Sequence, residues 1–126
     1  MGSGIIVVSS DSELLAQVSD AVSQLGCAVT TLRKLDDLVA HSIFSTQPNL
    51  LIDLDNVRVD NKILRSIRRQ HARVNIMAVS SKRYHPELRD VLRDDIVACL
   101  KKPLDAEELA YWLNSFADMR HADSGV

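Results

Sequence analysis

The chain has 126 residues, with 15 Lys or Arg and 17 Asp or Glu, so its formal net charge is −2 at pH 7. This length predicts one domain that buries its own core without disulfides. The weak charge gives no electrostatic reason to bind nucleic acid or an anionic membrane surface. No apolar run approaches the ~20 residues of a membrane span and no signal-peptide pattern is present, so we expect a cytoplasmic protein.

The predicted elements alternate strictly between strand and helix along the chain. Predicted strands β1 to β5 are the short apolar runs at 5–8, 27–32, 49–54, 74–81 and 97–100. Predicted helices α1 to α5 are the amphipathic segments within 10–26, 35–44, 61–70, 85–95 and 105–116. Ser or Asp caps the start of α1 and Gly26 stops it, while Asp105 caps α5 with Glu108 three residues later. The alternation predicts an α/β domain with a parallel sheet and helices on both faces.

The ends of the chain and its cysteines and histidines suggest no further chemistry. We expect residues 1–4, "MGSG", to be a remnant from outside the domain, and residues from about 118 to 126 to form a flexible tail, so that 1–126 holds a single domain cut from a longer protein. Cys27 and Cys99 lie in apolar runs without a CxxC pattern, which predicts buried reduced thiols. No metal-ligand spacing relates the four histidines, His41, His71, His85 and His121.

Two helices carry side-chain patterns of interest. In α5, a core face is predicted by the helical spacing of Leu109, Trp112, Leu113 and Phe116. Tyr111 lies off that face. A local basic cluster, defined as Arg65, Arg68, Arg69 and His71, lies in and just after α3. Such a cluster could contact a phosphate-rich ligand or an acidic partner, although it is more often the solvated side of a helix.

Polar residues follow four of the five predicted strands. Open parallel sheets bind ligands at the carboxyl ends of their strands, so these ends are the expected place for any site. The residues concerned are Ser9, Ser10 and Asp11 after β1, Asp53 and Asp55 after β3, Ser80 and Ser81 after β4, and Lys101 to Pro103 after β5.

In their order and spacing these motifs resemble the receiver (CheY-like) domain of bacterial response regulators and hybrid kinases, over nearly the whole chain. The resemblance implies a flavodoxin-like (βα)5 fold, a doubly wound five-stranded parallel sheet of strand order 2-1-3-4-5. It implies that Asp53, in "DLDNVRVDN", is the candidate phosphoacceptor, with Asp55 as the second choice. "LKKPL" is similar to the family's Lys-Pro signature, so Lys102 is the pocket lysine and Pro103 follows a bond that is often cis.

Further positions follow from the same resemblance. Ser80 falls at the switch Ser/Thr position, and Cys99 falls where an aromatic residue often turns inward on activation. Asp60 and Asn61 stand where the family commonly has Asp-Gly, and Asn replaces Gly where the backbone needs a positive φ. Counting from Pro48 would put the acceptor position at Leu54, but the spacing to Asp60 favours Asp53.

The chain departs from the family at the metal-binding positions. Ser9 and Ser10 stand where two carboxylates normally bind Mg²⁺, which prefers carboxylate oxygens in octahedral geometry. Asp11 comes one position late and is better explained as the cap of α1. Lys102 could pair with Asp53 without a metal. We therefore expect no metal or other cofactor, unless the domain is an active receiver that uses Mg²⁺.

These observations predict a pseudo-receiver, a non-enzymatic regulatory domain of a two-component or phosphorelay protein such as a hybrid sensor histidine kinase. It would act through protein–protein contact with a kinase core, other domains of the parent protein, or a second copy across α4, β5 and α5. Nucleic acid and membrane are not expected partners. The predicted contact residues are Arg89, Arg93, Glu107 and Tyr111.

Two alternatives remain open at the level of sequence. In the first, the domain is an active phosphoacceptor, in which Asp53 takes the phosphoryl group, Lys102 bridges to it and Ser80 follows it. In the second, it senses a small ligand, with a nucleotide held by the basic α3 cluster. The missing carboxylates at Ser9 and Ser10 count against the first, and the absence of a Gly-rich phosphate loop counts against the second.

Overall fold

The computed structural model describes residues 4–34, 49–71, 73–82 and 96–124, with the side chains of the last helix described as far as residue 116. Its strands are β1 (Gly4–Val8), β2 (Ala28–Leu32), β3 (Asn49–Asp53), β4 (Asn75–Ser80) and β5 (Ile96–Lys101). Its helices are α1 (Ser12–Ser23), α3 (Asn61–Gln70) and α5 (Ala106–Ser124). Predicted helices α2 and α4 lie outside the described residues, as do Arg89 and Arg93.

The strands form one five-stranded parallel sheet in the order β2-β1-β3-β4-β5, which confirms the predicted fold class and strand order. The register aligns Asp53 of β3 with Val79 of β4, and Ser80 of β4 with Lys101 of β5. Because parallel strands all end at the same edge of the sheet, this register brings the polar residues after β1, β3, β4 and β5 together.

Both faces of the three central strands, β1, β3 and β4, are buried, as expected for parallel strands that read as continuous apolar runs. On one face, Ile6, Leu50 and Ile76 pack with Leu64 and Ile67 of α3. The other face packs against α1 and α5 through a larger set of buried side chains, which includes Val7, Leu51, Met77, Leu14, Val18, Leu109, Leu113 and Phe116. The central strands are therefore fixed on both sides, and the loops at their ends are attached to a rigid support.

Short-range capping fixes the starts of α1 and α3. The Asp11 carboxylate accepts hydrogen bonds from the backbone N–H of Glu13 at 3.0 Å and of Leu14 at 3.4 Å. Asp60 caps α3 in the same way, accepting from the N–H of Ile63 at 2.8 Å. After α1 the chain turns at Gly26, whose φ of 70° lies in the left-handed region that favours glycine.

Four expectations need correction. Asn61 does not have a positive φ, because Asp60 with its extended backbone takes the cap position and Asn61 becomes the first residue of α3. Gly4, assigned to a remnant, pairs with Ala28 as part of β1. The backbone of α5 is helical to Ser124, beyond the predicted end at Phe116, because no Gly or Pro lies between Pro103 and Gly125.

The fourth correction concerns Cys99, which is exposed rather than buried, while Cys27 is half-buried. Side chains alternate along β5, so Cys99 lies on the face opposite to the buried Ala98 and Leu100. Both thiols are free, as expected. In the described part of the chain, no helix is long and apolar enough to cross a bilayer.

Candidate functional site

Six polar side chains from four strand ends meet at the carboxyl edge of the sheet. We call them the edge cluster: Ser9, Asp11, Asp53, Asp55, Ser80 and Lys102. Each belongs to the set predicted from the strand ends. Ser10, predicted in the same pocket, is exposed, and its side chain makes no hydrogen bond within the described residues.

Asp53 lies at the centre of the edge cluster and is fully buried. One carboxylate oxygen, Oδ1, is 2.9 Å from Lys102 Nζ and accepts a hydrogen bond from the Asp55 backbone N–H at 3.1 Å. The other, Oδ2, accepts from the Ser9 hydroxyl and from the Asn56 side-chain amide, both at 2.7 Å. Four donors therefore occupy the two oxygens, which satisfies a buried charge that would otherwise be costly.

Lys102 joins two carboxylates at the end of β5. Its Nζ is 2.9 Å from Asp53 Oδ1, 3.1 Å from Asp55 Oδ2 and 4.0 Å from Asp11 Oδ2, and its side chain is only 18% exposed. The backbone N–H of Lys102 donates to the Ser80 carbonyl at 3.0 Å, which fixes where the side chain begins. The Lys102–Pro103 peptide bond is cis, as the resemblance implied.

Asp55 reaches from the β3–α3 loop across the end of β4. Its Oδ1 accepts a hydrogen bond from the Ser80 hydroxyl at 3.0 Å, and its Oδ2 accepts from the Ser81 backbone N–H at 2.9 Å. Together with Lys102, these donors make three contacts to one carboxylate. Asp55 therefore connects the ends of β3, β4 and β5.

Ser9 links Asp53 to the start of α1. Its hydroxyl donates to Asp53 Oδ2 and accepts the Asp11 N–H at 2.9 Å, and the residue is fully buried. Asp11 is occupied mainly in capping α1, as predicted, since one of its oxygens accepts both capping N–H groups. Ser9 therefore makes a structural hydrogen bond at a position where the family resemblance implies a metal-binding carboxylate.

The charges of the edge cluster shift the pKa values of its members. Burial alone would raise the pKa of Asp53, but its four hydrogen-bond donors outweigh burial and hold that pKa below the usual 3.8. Burial would likewise raise the pKa of Asp55, but the Ser81 amide, Lys102 and the Ser81 and Ser80 side chains lower it to about 2. Burial would lower the pKa of Lys102, but its bonds to both carboxylates raise it above 10.5. All three groups are therefore charged at neutral pH.

The edge cluster does not fit a Mg²⁺ ion as its side chains are arranged. In the residues that the structure describes, no group of three or more His, Cys, Asp or Glu could hold a metal. The ammonium of Lys102 lies between Asp53 and Asp55, within 3.1 Å of both, and Ser9 offers a hydroxyl whose proton is donated to Asp53. Mg²⁺ would need the carboxylate oxygens of Asp53 and Asp55 as ligands, and these oxygens are paired with Lys102.

The remaining predicted residues lie elsewhere. Tyr111 is 63% exposed on α5, and Glu107 is exposed in the first turn of the same helix. Cys99 is exposed on β5, and the pKa of its thiol is raised by partial desolvation from the surrounding protein and by the charge of Asp55.

The basic α3 cluster does not form a ligand pocket with the described residues. Arg68 donates to the Val74 carbonyl, which gives it a structural role, while Arg65 and Arg69 are exposed. A cleft of about 570 Å³ beside α3 is lined by Leu54 to Asp60 and by Ile63, and its described lining includes no member of the cluster.

Three contributions to this part of the fold were not predicted from the sequence. Asn56 donates to Asp53, and the Ser81 backbone N–H donates to Asp55. Asn49, fully buried at the start of β3, donates to the Gly4 carbonyl at 3.1 Å and accepts from Asn75 at 3.0 Å. Only the position of Asn56 three residues after Asp53 offered any signal.

Comparison with known proteins gives the class of fold. No protein-family model matches the chain, and no curated protein matches its sequence. Among structures, the signal receiver domain of an HD domain-containing protein from Pseudomonas fluorescens Pf-5 is similar, with TM-score 0.80 and 16% identity, covering 97% of this chain and 99% of that one. A CheY-like response regulator receiver domain protein from Methanospirillum hungatei JF-1 has TM-score 0.77 and 13% identity, covering 98% and 99%.

A third similar structure is a chain of the Saccharomyces cerevisiae complex between the histidine phosphotransfer protein Ypd1 and the receiver domain of its response regulator Ssk1. It has TM-score 0.75 and 14% identity, covering 94% of this chain and 91% of that one. These similarities show that the described strands and helices have the CheY-like receiver fold. At these identities the comparisons establish the fold alone, so the function rests on the site.

Proposed function

We propose that this domain is a pseudo-receiver, a regulatory module of two-component or phosphorelay signalling that works by protein–protein contact and not by phosphorylation of Asp53. The observation that carries the proposal is the state of the Asp53 carboxylate. Each of its oxygens already accepts two donors, and the side chain is fully buried. A carboxylate in this condition is a poor nucleophile, because its lone pairs are committed to four donors and it is fully buried.

The donor set around Asp53 supports the same proposal. Aspartyl phosphorylation relies on a divalent ion that gathers the acceptor and the phosphate oxygens. Here Ser9 holds Asp53 by a 2.7 Å hydrogen bond, and Lys102 supplies the positive charge that neutralises it. Lys102, at the position of the family's pocket lysine, thus balances the charge of Asp53 in an arrangement that contains no metal.

The working surface of the domain is proposed to include α5. Tyr111 and Glu107 are exposed there, away from the buried face of Leu109, Leu113 and Phe116. Tyrosine is among the residues most often enriched at protein interfaces. The proposed partners are a histidine kinase core, another domain of the parent protein or a second copy, in the cytoplasm, and a hybrid sensor kinase is one proposed parent.

One observation favours the alternative of an active phosphoacceptor. Asp53, Lys102 and Ser80 lie at the same sheet edge, as that mechanism requires, and Lys102 contacts Asp53 directly. The alternative requires the Ser9 and Asn56 hydrogen bonds to open and a Mg²⁺ ion to bind beside Lys102.

Mg²⁺ titration separates the two possibilities. A ligand that binds only the folded state raises the melting temperature. We expect millimolar Mg²⁺ to leave the melting temperature of the wild-type domain unchanged, and a Ser9→Asp/Ser10→Asp variant to gain a Mg²⁺-dependent rise because it adds two carboxylates beside Asp53. A monovalent salt at equal ionic strength, without any divalent cation, serves as the control. Saturable stabilisation of the wild type, with NMR shifts at Asp53 and Asp11, would favour the active receiver.

A further inference from the structure

Three hydrogen-bond donors of different chemistry converge on the Asp55 carboxylate. The Ser80 hydroxyl donates to Oδ1 at 3.0 Å, while the Ser81 backbone N–H and Lys102 Nζ approach Oδ2 at 2.9 Å and 3.1 Å. A hydroxyl, an amide and an ammonium directed at one point form the usual donor set of a site for a phosphate-type oxyanion. The side chain that fills this site is only 17% exposed.

The donors are held in place by contacts that do not involve the Asp55 carboxylate. The Ser80 hydroxyl oxygen accepts the Lys82 N–H at 3.0 Å, and the Ser80 carbonyl accepts the Lys102 N–H at 3.0 Å. Lys102 Nζ is anchored independently by Asp53 at 2.9 Å. The site is therefore preorganised by β4 and β5, and we expect it to persist when Asp55 is shortened.

The backbone of Asp55 is placed for this role by Asp53. Its N–H donates to Asp53 Oδ1 at 3.1 Å, so the loop after β3 turns directly over the edge cluster. The Asp55 side chain then extends across the end of β4. Asp55, two residues after the end of β3, thus places its negative charge against donors at the ends of β4 and β5.

We propose that Asp55 is an internal anion: its carboxylate occupies an oxyanion site formed by Ser80, Ser81 and Lys102, and removal of that carboxylate opens the site to inorganic phosphate. The inference rests on the proposed function, since it explains how a domain without phosphorylation keeps these donors permanently engaged. The Asp55 carboxylate then links the ends of β4 and β5 permanently in one conformation. The domain presents a constant surface to its partner.

The test is a titration of the Asp55→Ala variant with inorganic phosphate, without Mg²⁺ or any phosphoryl donor. We expect saturable NMR shifts at the Ser81 and Lys102 amides and a phosphate-dependent rise in melting temperature. The wild type should bind at least about tenfold more weakly, because its own carboxylate competes at the site. Asp60→Ala, which removes a carboxylate from the same loop, should behave as the wild type, and Lys102→Met in the Asp55→Ala background should abolish binding.

Two results would overturn the proposal: a folded Asp55→Ala variant that ignores phosphate, or a wild type that binds it equally well. Should Asp55→Ala fail to fold, hydrogen exchange of the wild type decides instead. The exposed Ser81 amide must then be protected at least about tenfold over an unstructured reference, and unprotected exchange contradicts its bond to Asp55. Phosphorylation of Asp53 would refute the proposed function without altering the phosphate titration, so the two failures are distinguishable.

Discussion

At the scale of single residues, the central feature is a buried Asp53 whose charge is balanced by Lys102. Burying an ion pair brings little net stability, because the desolvation cost of both charges offsets their attraction. Removing one partner is different, since the other charge is left buried and uncompensated. Asp53 retains three neutral donors without Lys102, and these soften the loss but do not supply a positive charge.

We expect Lys102→Met to lower the free energy of unfolding by about 3 kcal/mol, since it leaves a fully buried carboxylate without its cation. Lys101→Met is the matched control, because Lys101 is the exposed neighbour and its loss should change stability by less than about 0.5 kcal/mol. Urea denaturation of the two variants measures the difference. Equal effects would show that Lys102 is a solvated lysine and not part of a pair.

The lowered pKa of Asp55 predicts a specific dependence of stability on pH. Its pKa is about 2 in the folded chain against the usual 3.8, so the folded state favours the ionised form. The contribution is present above pH 3.8 and is lost as the pH falls through about 2. It is on the order of 1–2 kcal/mol after allowance for the partial solvent exposure of the carboxylate.

The measurement is the free energy of unfolding of wild type and Asp55→Asn across this range. The difference between them should be constant from neutral pH to about pH 5 and shrink below the usual pKa of 3.8. At the alkaline end, the raised pKa of Lys102 makes its stabilisation complete below pH 10.5 and progressively lost above it. A difference that grows on acidification would contradict the ionised state of Asp55.

At the scale of secondary-structure elements, α5 separates a packing face from a contact face. Leu109, Leu113 and Phe116 are at most 2% exposed and pack on the sheet, while Tyr111 is 63% exposed. The Tyr111 ring touches its neighbour Trp112 edge to face, with centroids 5.3 Å apart, so it is oriented without being buried. An oriented, exposed aromatic ring loses little conformational entropy on binding.

We expect Leu113→Ala to cost about 2–5 kcal/mol of stability, since it opens a cavity in the core. Tyr111→Ala should cost less than about 1 kcal/mol and should instead weaken association with a partner or a second copy. Thermal unfolding and sedimentation velocity, run on both variants, measure the two effects. If Tyr111→Ala unfolds the domain, or leaves every association unchanged, α5 is not the contact surface.

Elements of this fold could be predicted because the strands are short apolar runs and the helices keep a clear period. Asp11 was correctly predicted to cap α1, because a capping residue acts within one turn of its own position. The predicted positive φ of Asn61 was wrong, because Asp60 caps α3 and makes Asn61 its first helical residue. The sequence does not show which of the two residues takes the cap position. Cys99 was misjudged because an apolar run hides which face of an edge strand is covered.

The edge cluster was predictable to a similar extent. Parallel topology places the strand ends at one edge, so the sequence predicts that Asp53, Ser80 and Lys102 meet there. Their hydrogen-bond partners could not be predicted, because donors such as Asn56 and the Ser81 amide depend on turn geometry. The role of Asp55 emerges only from three distances to groups on other strands.

At the scale of the whole molecule, the doubly wound sheet places one charged cluster at one edge and leaves the rest of the described chain without a comparable polar site. The two cores on either side of the sheet pack its central strands, and the hydrogen bonds and ion pairs of the edge cluster link the ends of β1, β3, β4 and β5. Phosphorylation of Asp53 would have to break at least the bonds from Ser9 and Asn56 at one oxygen. The described chain therefore has the receiver fold, and we propose that its candidate acceptor Asp53 is locked by these hydrogen bonds.

Intact-protein mass spectrometry after incubation with acetyl phosphate and Mg²⁺ tests the locked acceptor most directly, with an active receiver domain treated in parallel as positive control. The expected result is that the wild type, Asp53→Asn and Asp55→Asn all remain unmodified while the control gains a phosphoryl group. A phosphoryl adduct on the wild type that disappears in Asp53→Asn and persists in Asp55→Asn would show that Asp53 is an active phosphoacceptor, and the pseudo-receiver function would be wrong.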